Sequence, residues 1–249
     1  MTVVAEQHGR ILIVRIDRPA KRNAIDRPTA EVLEAALDRL DDDPGLWVGI
    51  LTGSTEVFSA GTDLSAHENL RTPRGGEYGV IRRARDTPLI AAVEGPAFGG
   101  GFEIALACDM VVASTTARFA LPEARRGLVA TSGALFRATR MLPPNVAREM
   151  LLSGRAIGAE RAYELGIVSE LAEPGRALEQ AMRLAEDVCR CSPMSTRTTL
   201  RALRDLTAAE DVRGWALTEQ AVATLLDSAD MHEGVSAFLE KRPPRWQGR

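Results

Sequence analysis

The chain has 249 residues, enough for one large domain or two small ones. With 45% apolar and 26% charged residues it has the composition of a folded globular protein, which sets aside collagen-like, disordered and disulfide-scaffold chains. A net charge of −3 offers no surplus of cations for phosphate, and 4% aromatic residues are too few for a base-stacking platform, so no nucleic-acid partner is expected. No apolar run approaches the roughly 18 to 20 residues of a membrane span, and the opening segment lacks the basic and apolar parts of a secretion signal. Three cysteines, Cys108, Cys189 and Cys191, are sparse and odd in number, as suits a reducing compartment. A cytoplasmic protein without a membrane partner is expected. The histidines, at 8, 67 and 232, have no zinc-ligand spacing, so no metal is expected either.

In chain order, Arg10 to Ile16 is β-branched and apolar and predicts a strand that runs into Arg18-Pro19. Asp26, just before Pro28, caps a helix whose apolar rhythm is Val32, Leu33, Ala36, Leu37 and Leu40. Strands follow at Trp47 to Thr52, Leu89 to Val93 and Met110 to Ala113, and their alternation with helices predicts an α/β layout with crossover connections. Residues 67 to 79 are the most irregular stretch and predict a mobile loop, with His67 on its surface. Beyond about residue 133 helical spacing dominates, over 143 to 153, 159 to 165, 175 to 191, 194 to 206, 208 to 228 and 231 to 240. Only 166 to 171 looks extended there.

Two glycine-bearing segments follow strands, where α/β folds place ligands. They are Phe58-Ser-Ala-Gly-Thr-Asp-Leu64 and Glu94-Gly-Pro-Ala-Phe-Gly-Gly-Gly-Phe-Glu103, the second opening an apolar helix from Ile104 to Cys108. Free N–H groups at a helix start favour negative charge, so the Gly triplet reads either as an oxyanion site or as a tight turn with close helix packing. A nucleotide site is rejected, since neither Gly-Lys-Ser/Thr nor G-x-G-x-x-G is present. Glu103 falls in the first turn of that helix, and Glu123 follows Phe119-Ala-Leu-Pro122, an extended segment expected to return beside it. Two carboxyls facing one small volume can hold a water and move its protons. Taken singly, Glu103 also suits a helix start and Glu123 a solvated turn. The arginines at 71, 74, 82, 83 and 85 read as a solvated basic face.

Together these segments resemble the crotonase, or enoyl-CoA hydratase/isomerase, superfamily. The matching pieces are Asp17 to Ile25, Phe58 to Leu64, Gly95 to Glu103, Ala107 to Ala113, Phe119 to Glu123 and Gly154 to Val168, in family order and across essentially the whole chain. The resemblance implies a spiral of ββα units with a helical C-terminal region that builds trimers or hexamers. It places the spiral core in residues 1–190 and the trimerisation region in 191–249. It implies an acyl-CoA substrate, with no separate cofactor, whose thioester oxygen accepts bonds from the Ala60 and Gly100 N–H groups. Glu103 and Glu123 match the two glutamates of the hydratase branch, where the second exchanges a proton with Cα and the first activates the water that attacks Cβ.

By the same resemblance, Lys21, Arg22, Ala24, Gly61, Thr62, Asp63 and Leu64 bind the CoA ester, while Phe238 and Lys241 reach a neighbouring subunit's CoA site. The pieces Asn23 to Asp26, Phe98 to Glu103, Ala120 to Ala124 and the ending Ala237 to Arg249 look most like the carnitinyl-CoA dehydratase subgroup. The implied function is therefore a hydro-lyase adding water to, or removing it from, the α,β bond of an acyl-CoA thioester. A carnitinyl-CoA dehydratase is the near alternative and an enoyl-CoA isomerase a less favoured one. Outside enzymes, the arginine segment suggests RNA binding. Two departures stand out: Glu94 precedes Gly95 where relatives have Asn, and Ala130 to Ala134 replaces a Pro-Gly-x-Gly-Gly turn, which implies a narrowed pocket or a shifted substrate preference.

Overall fold

A computed structural model describes residues 2–66 and 69–249; His67 lies outside the described residues. The first strands, β1 (Val3–His8) and β2 (Ile11–Ile16), form an antiparallel hairpin. β1 is absent from the sequence expectation because its polar Glu6, Gln7 and His8 dilute the apolar signal of an edge strand. Helix α1 (Arg27–Asp42) starts where Asp26 predicts, its carboxylate accepting the Thr29 N–H at 3.0 Å. β3 (Val48–Thr52), the short hairpin β4 (Arg71–Thr72) and β5 (Gly76–Glu77), β6 (Leu89–Val93) and β7 (Pro96–Phe98) follow. Next come α2 (Gly100–Ala107), β8 (Met110–Ser114), β9 (Arg118–Ala120), a 3-10 turn at Glu123–Arg126, α3 (Ala134–Met141) and α4 (Pro144–Ser153). The chain ends with β10 (Ile157–Gly158), α5 (Ala159–Glu164), β11 (Glu170–Ala172), α6 (Ala177–Arg190), α7 (Pro193–Leu225) and α8 (Ala229–Leu239).

The main sheet runs β1-β2-β3-β6-β8-β11 and is parallel from β2 onward. A parallel sheet is covered on both faces, so its strands read as unbroken apolar runs. Here Ile11, Ile13, Val48, Ile50, Ile90 and Val112 pack against Ala181 and Ala185 of α6. The alternate residues Leu12, Val14, Leu51, Ala91, Val93, Val111 and Ala113 face the other way, onto α1 and α2. A second sheet, β10-β9-β7, continues through isolated bridges from Ala97 to Ser59 and from Thr62 to Ile25. Successive chain segments thus pass through the first sheet and then the second before a helix carries them back, which is a spiral. It brings Ile25, Ser59, Thr62, Ala97 and Phe119 side by side, although about 95 residues of sequence separate the outermost two.

Three local expectations are corrected. The segments 194–206 and 208–228 form one helix of 33 residues, α7, because nothing between them breaks helical geometry. Residues 69 to 79 carry the β4/β5 hairpin and bury Leu70, Thr72, Tyr78 and Gly79 rather than forming a wholly irregular loop. The arginines are not one solvated face. The Arg83 guanidinium is fully buried between Asp38 (2.6 Å) and Asp41 (3.0 Å), and Arg85 is buried against Asp109 (2.6 Å).

Candidate active site

The Asp17 to Ile25 segment is a stitched loop. Arg22 and Asn23 both have left-handed backbones, at φ 52° and 53°. Buried Asn23 accepts the Arg18 N–H at 2.8 Å and donates to the Val57 and Phe58 carbonyls at 2.8 and 3.2 Å. This loop fixes the turn that follows Phe58, and it decides one of the expectations. The Ala60 N–H donates to the Arg22 carbonyl at 3.1 Å, so it is already occupied, whereas the resemblance implied a free oxyanion donor there. Two residues on, the Thr62 N–H takes no partner among the described residues.

Gly100 opens α2, so its N–H has no acceptor within the helix. A Cβ on Gly61 would lie 2.6 Å from the Gly100 nitrogen, which puts the Gly61-Thr62 turn directly against the helix start. Gly61 itself has φ +83°, a conformation that glycine adopts without steric cost. The N–H groups of Thr62 and Gly100 are therefore the free pair at this junction. The resemblance implied the first of them two residues earlier, at Ala60, because the turn's hydrogen bonds are invisible in a motif.

Glu103 is buried on α2. Its Oε1 accepts the Ser132 N–H at 2.7 Å and the Ala134 N–H at 3.1 Å. The departure at Ala130 to Ala134 thus becomes a carboxylate clamp, turned by Gly133 at φ +101°. Glu123 starts the 3-10 turn after β9, and its Oε1 stands 3.1 Å from where a Cβ on Gly99 would sit. Its Oε2 is buried with no hydrogen-bond partner among the described residues.

Burial raises the Glu103 carboxyl above the ordinary carboxylate range and repulsion from Glu123 raises it further, while the Ala134 and Ser132 N–H groups oppose this. Burial likewise raises Glu123, against its own backbone N–H and Arg126. The pair therefore resists double ionisation.

Two cavities meet at Thr62. A front cleft of about 490 Å³ is lined by Lys21, Arg22, Ala24, Asp63, Leu64 and Phe238, among others, so Phe238 lines its own chain's cleft where the resemblance implied a neighbour's. A rear chamber of about 560 Å³ is lined by Tyr78, Ser132 and residues of α7. Gly61 lies behind the cleft wall, against Gly100, and Lys241 is exposed and lines neither cavity. Neither glutamate forms part of either wall. Glu103 stands behind Ser132, and Glu123 lies beside Gly99, next to Phe98 of the front cleft. Sequence reasoning missed Asn23, Tyr78 and Ser132. For Tyr78 a signal existed, a single aromatic inside the glycine-rich Gly75 to Gly79 in a chain with two tyrosines. Among the described residues no group of His, Cys, Asp or Glu could hold a metal ion, and no helix is long and apolar enough to cross a membrane.

The family model for enoyl-CoA hydratase/isomerase matches residues 6–249. The chain belongs to the enoyl-CoA hydratase/isomerase family. It is 39% identical to a carnitinyl-CoA dehydratase of Salmonella typhi over 254 residues, covering 98% of this chain and 97% of that one. It is 38% identical to mevalonyl-coenzyme A hydratase sidH of Aspergillus fumigatus over 248 residues, 95% and 91% of the two chains. Among solved structures, a carnitinyl-CoA hydratase from Mycobacterium avium superposes with a TM-score of 0.95 at 37% identity, covering 100% and 99%. This enoyl-CoA hydratase/isomerase family member therefore has the crotonase fold expected from its motifs, with the helical C-terminal region. Its curated relatives are hydratases and dehydratases, which are lyases.

Proposed function

We propose that the protein adds water to, or removes it from, the α,β bond of an acyl-CoA thioester, with Glu103 and Glu123 as the proton-transfer pair. The observation that carries this reading is the placement of two mutually repelling, buried carboxyls around a helix start with two free N–H groups. In this mechanism the Thr62 and Gly100 N–H groups receive the thioester oxygen and stabilise the enolate, and losing one such donor costs roughly 10² to 10³ in rate. One proton is shared by the pair. Ionised Glu103 takes a proton from the water as its oxygen attacks Cβ, and protonated Glu123 delivers its proton to Cα. Dehydration runs the same steps backward. The unpartnered Glu123 Oε2 fits this role, since a buried acceptor left without a donor costs about 1 to 3 kcal/mol unless a bound molecule supplies one.

The CoA arm lies in the front cleft, with Lys21 and Arg22 toward its phosphates and Ala24, Asp63, Leu64 and Phe238 along its length. The substrate carries the CoA, and no further cofactor takes part. Two glutamates favour hydration or dehydration over isomerisation, and the names of the relatives keep a carnitinyl-CoA dehydratase as the near alternative. RNA binding is disfavoured, because Arg83 and Arg85 are committed to buried ion pairs. We assign residues 191–249 to assembly of a homotrimer or homohexamer, since α7 leaves Leu203, Leu206 and Val212 exposed. Lys241, outside its own chain's cleft, is then available to a neighbour. Unpaired cysteines and the absence of a spanning helix among the described residues support a cytoplasmic place of action. The reaction is tested by following the absorbance of crotonyl-CoA, longer enoyl-CoAs and crotonobetainyl-CoA with purified protein. Turnover of none of them would overturn the reading.

A further inference from the structure

Tyr78 lines the rear chamber beside Thr62, and the hydration steps do not use its chemistry. Its backbone is left-handed, at φ 60°. For a bulky residue that is an outlier, of a kind that concentrates at functional sites. The side chain is buried, and its hydroxyl bonds the Thr62 hydroxyl at 2.8 Å. A Cβ on Gly100 would lie 2.2 Å from the Tyr78 oxygen, so the phenol rests directly on the oxyanion turn. It lines the rear chamber, not the front cleft, beside Thr62, which lines both.

The phenol is a donor at every relevant pH. Burial holds its pKa well above the ordinary range and the charge of Glu103 adds to this, against the Thr62 and Ser132 hydroxyls. The Tyr78, Thr62 and Ser132 hydroxyls meet here, and each can donate or accept. A neutral polar group on the acyl chain can join this set of bonds, whereas an apolar chain offers it no partner. The chamber's own charges point the same way. Glu77 bonds Arg82 at 3.1 Å, Glu219 lies 3.7 Å from the same guanidinium, and Arg82 stacks 3.7 Å over Trp215. Those three charges are paired with one another and Arg71 is exposed, while the buried Thr218 hydroxyl is committed to the Gly214 carbonyl at 2.8 Å, which leaves the buried hydroxyls of Tyr78 and Ser132 beside Thr62.

We propose that Tyr78, with its bond to Thr62, determines specificity for short acyl groups that bear a hydroxyl beyond Cβ, in preference to apolar fatty chains of the same length. This rests on the acyl-CoA reading above. The test uses saturated esters, which cannot be hydrated, so binding is measured apart from turnover. Calorimetry on the full-length protein compares 5-hydroxypentanoyl-CoA with hexanoyl-CoA, which has the same number of chain atoms. Wild type should bind the hydroxylated ester about tenfold or more tightly, and Tyr78→Phe should bring the two within about twofold while leaving hexanoyl-CoA affinity nearly unchanged. Equal or tighter wild-type binding of hexanoyl-CoA overturns the proposal, and that comparison needs no variant. So does a Tyr78→Phe protein that loses affinity for both esters alike. If the binding preference is present while no enoyl-CoA is turned over, the hydration reading fails and the assignment of Tyr78 stands.

Discussion

Replacing Glu103 by Gln should make the protein more stable and nearly inactive at the same time. The Gln amide oxygen can keep the 2.7 and 3.1 Å bonds from Ser132 and Ala134, so the fold loses no partner. What disappears is a buried charge and its repulsion with Glu123. A carboxyl raised in the folded state holds its proton there while the unfolded chain, at the ordinary glutamate value of 4.5, has released it. Native protein then binds more protons than unfolded, and stability falls as pH rises from about 4.5 toward the raised folded value. Each unit of upward displacement is about 1.4 kcal/mol, or roughly 3 to 6 °C in Tm for a chain of this size. Loss of helix-start charge opposes this by only about 0.3 to 1 kcal/mol. At pH 8 the variant should therefore melt above wild type, and at pH 4 the difference should vanish. Loss of proton transfer should lower kcat by about 10² to 10⁴, or about 2.7 to 5.4 kcal/mol in the barrier. Scanning calorimetry across pH and steady-state hydration of crotonyl-CoA read the two effects. A variant that melts below wild type at pH 8, or keeps wild-type kcat, refutes the assignment.

Glu123→Gln should leave the affinity for a saturated CoA ester nearly intact and lower kcat by a similar factor, and a change confined to KM would argue against proton transfer. Gly100→Ala places a methyl 2.2 Å from the Tyr78 hydroxyl, so it should abolish turnover by forcing the helix start, and with it the Gly100 N–H, out of position, with the loss read from kcat/KM beside a melting curve. Arg83→Met leaves buried Asp41 without its cation and should cost about 3 to 5 kcal/mol, roughly 6 to 20 °C in Tm, with kcat unchanged in protein that remains folded. Light scattering at micromolar concentration should give a trimer or hexamer, and Leu206→Asp with Val212→Asp should shift it toward monomer.

The sequence by itself determined the α/β character and the strand set β2, β3, β6 and β8, because a sheet covered on both faces imposes unbroken apolar runs that any reading detects. It determined Asp26 as a helix cap and singled out Glu103 and Glu123, because a cap and a carboxyl in a motif are local choices of residue. Tertiary structure decided everything that depends on who faces whom. The spiral sets the Gly61-Thr62 turn against Gly100 and spends the Ala60 N–H on Arg22, so the free N–H lies two residues from where the motif placed it. It turns Ser132 and Ala134 into partners of Glu103 across about 30 residues of chain and folds Tyr78 out of an irregular stretch onto the oxyanion turn. It also buries Arg83 and Arg85, which in sequence look like a solvated run. These are consequences of long-range closure, and periodicity and motif spacing report only the local preferences of the chain.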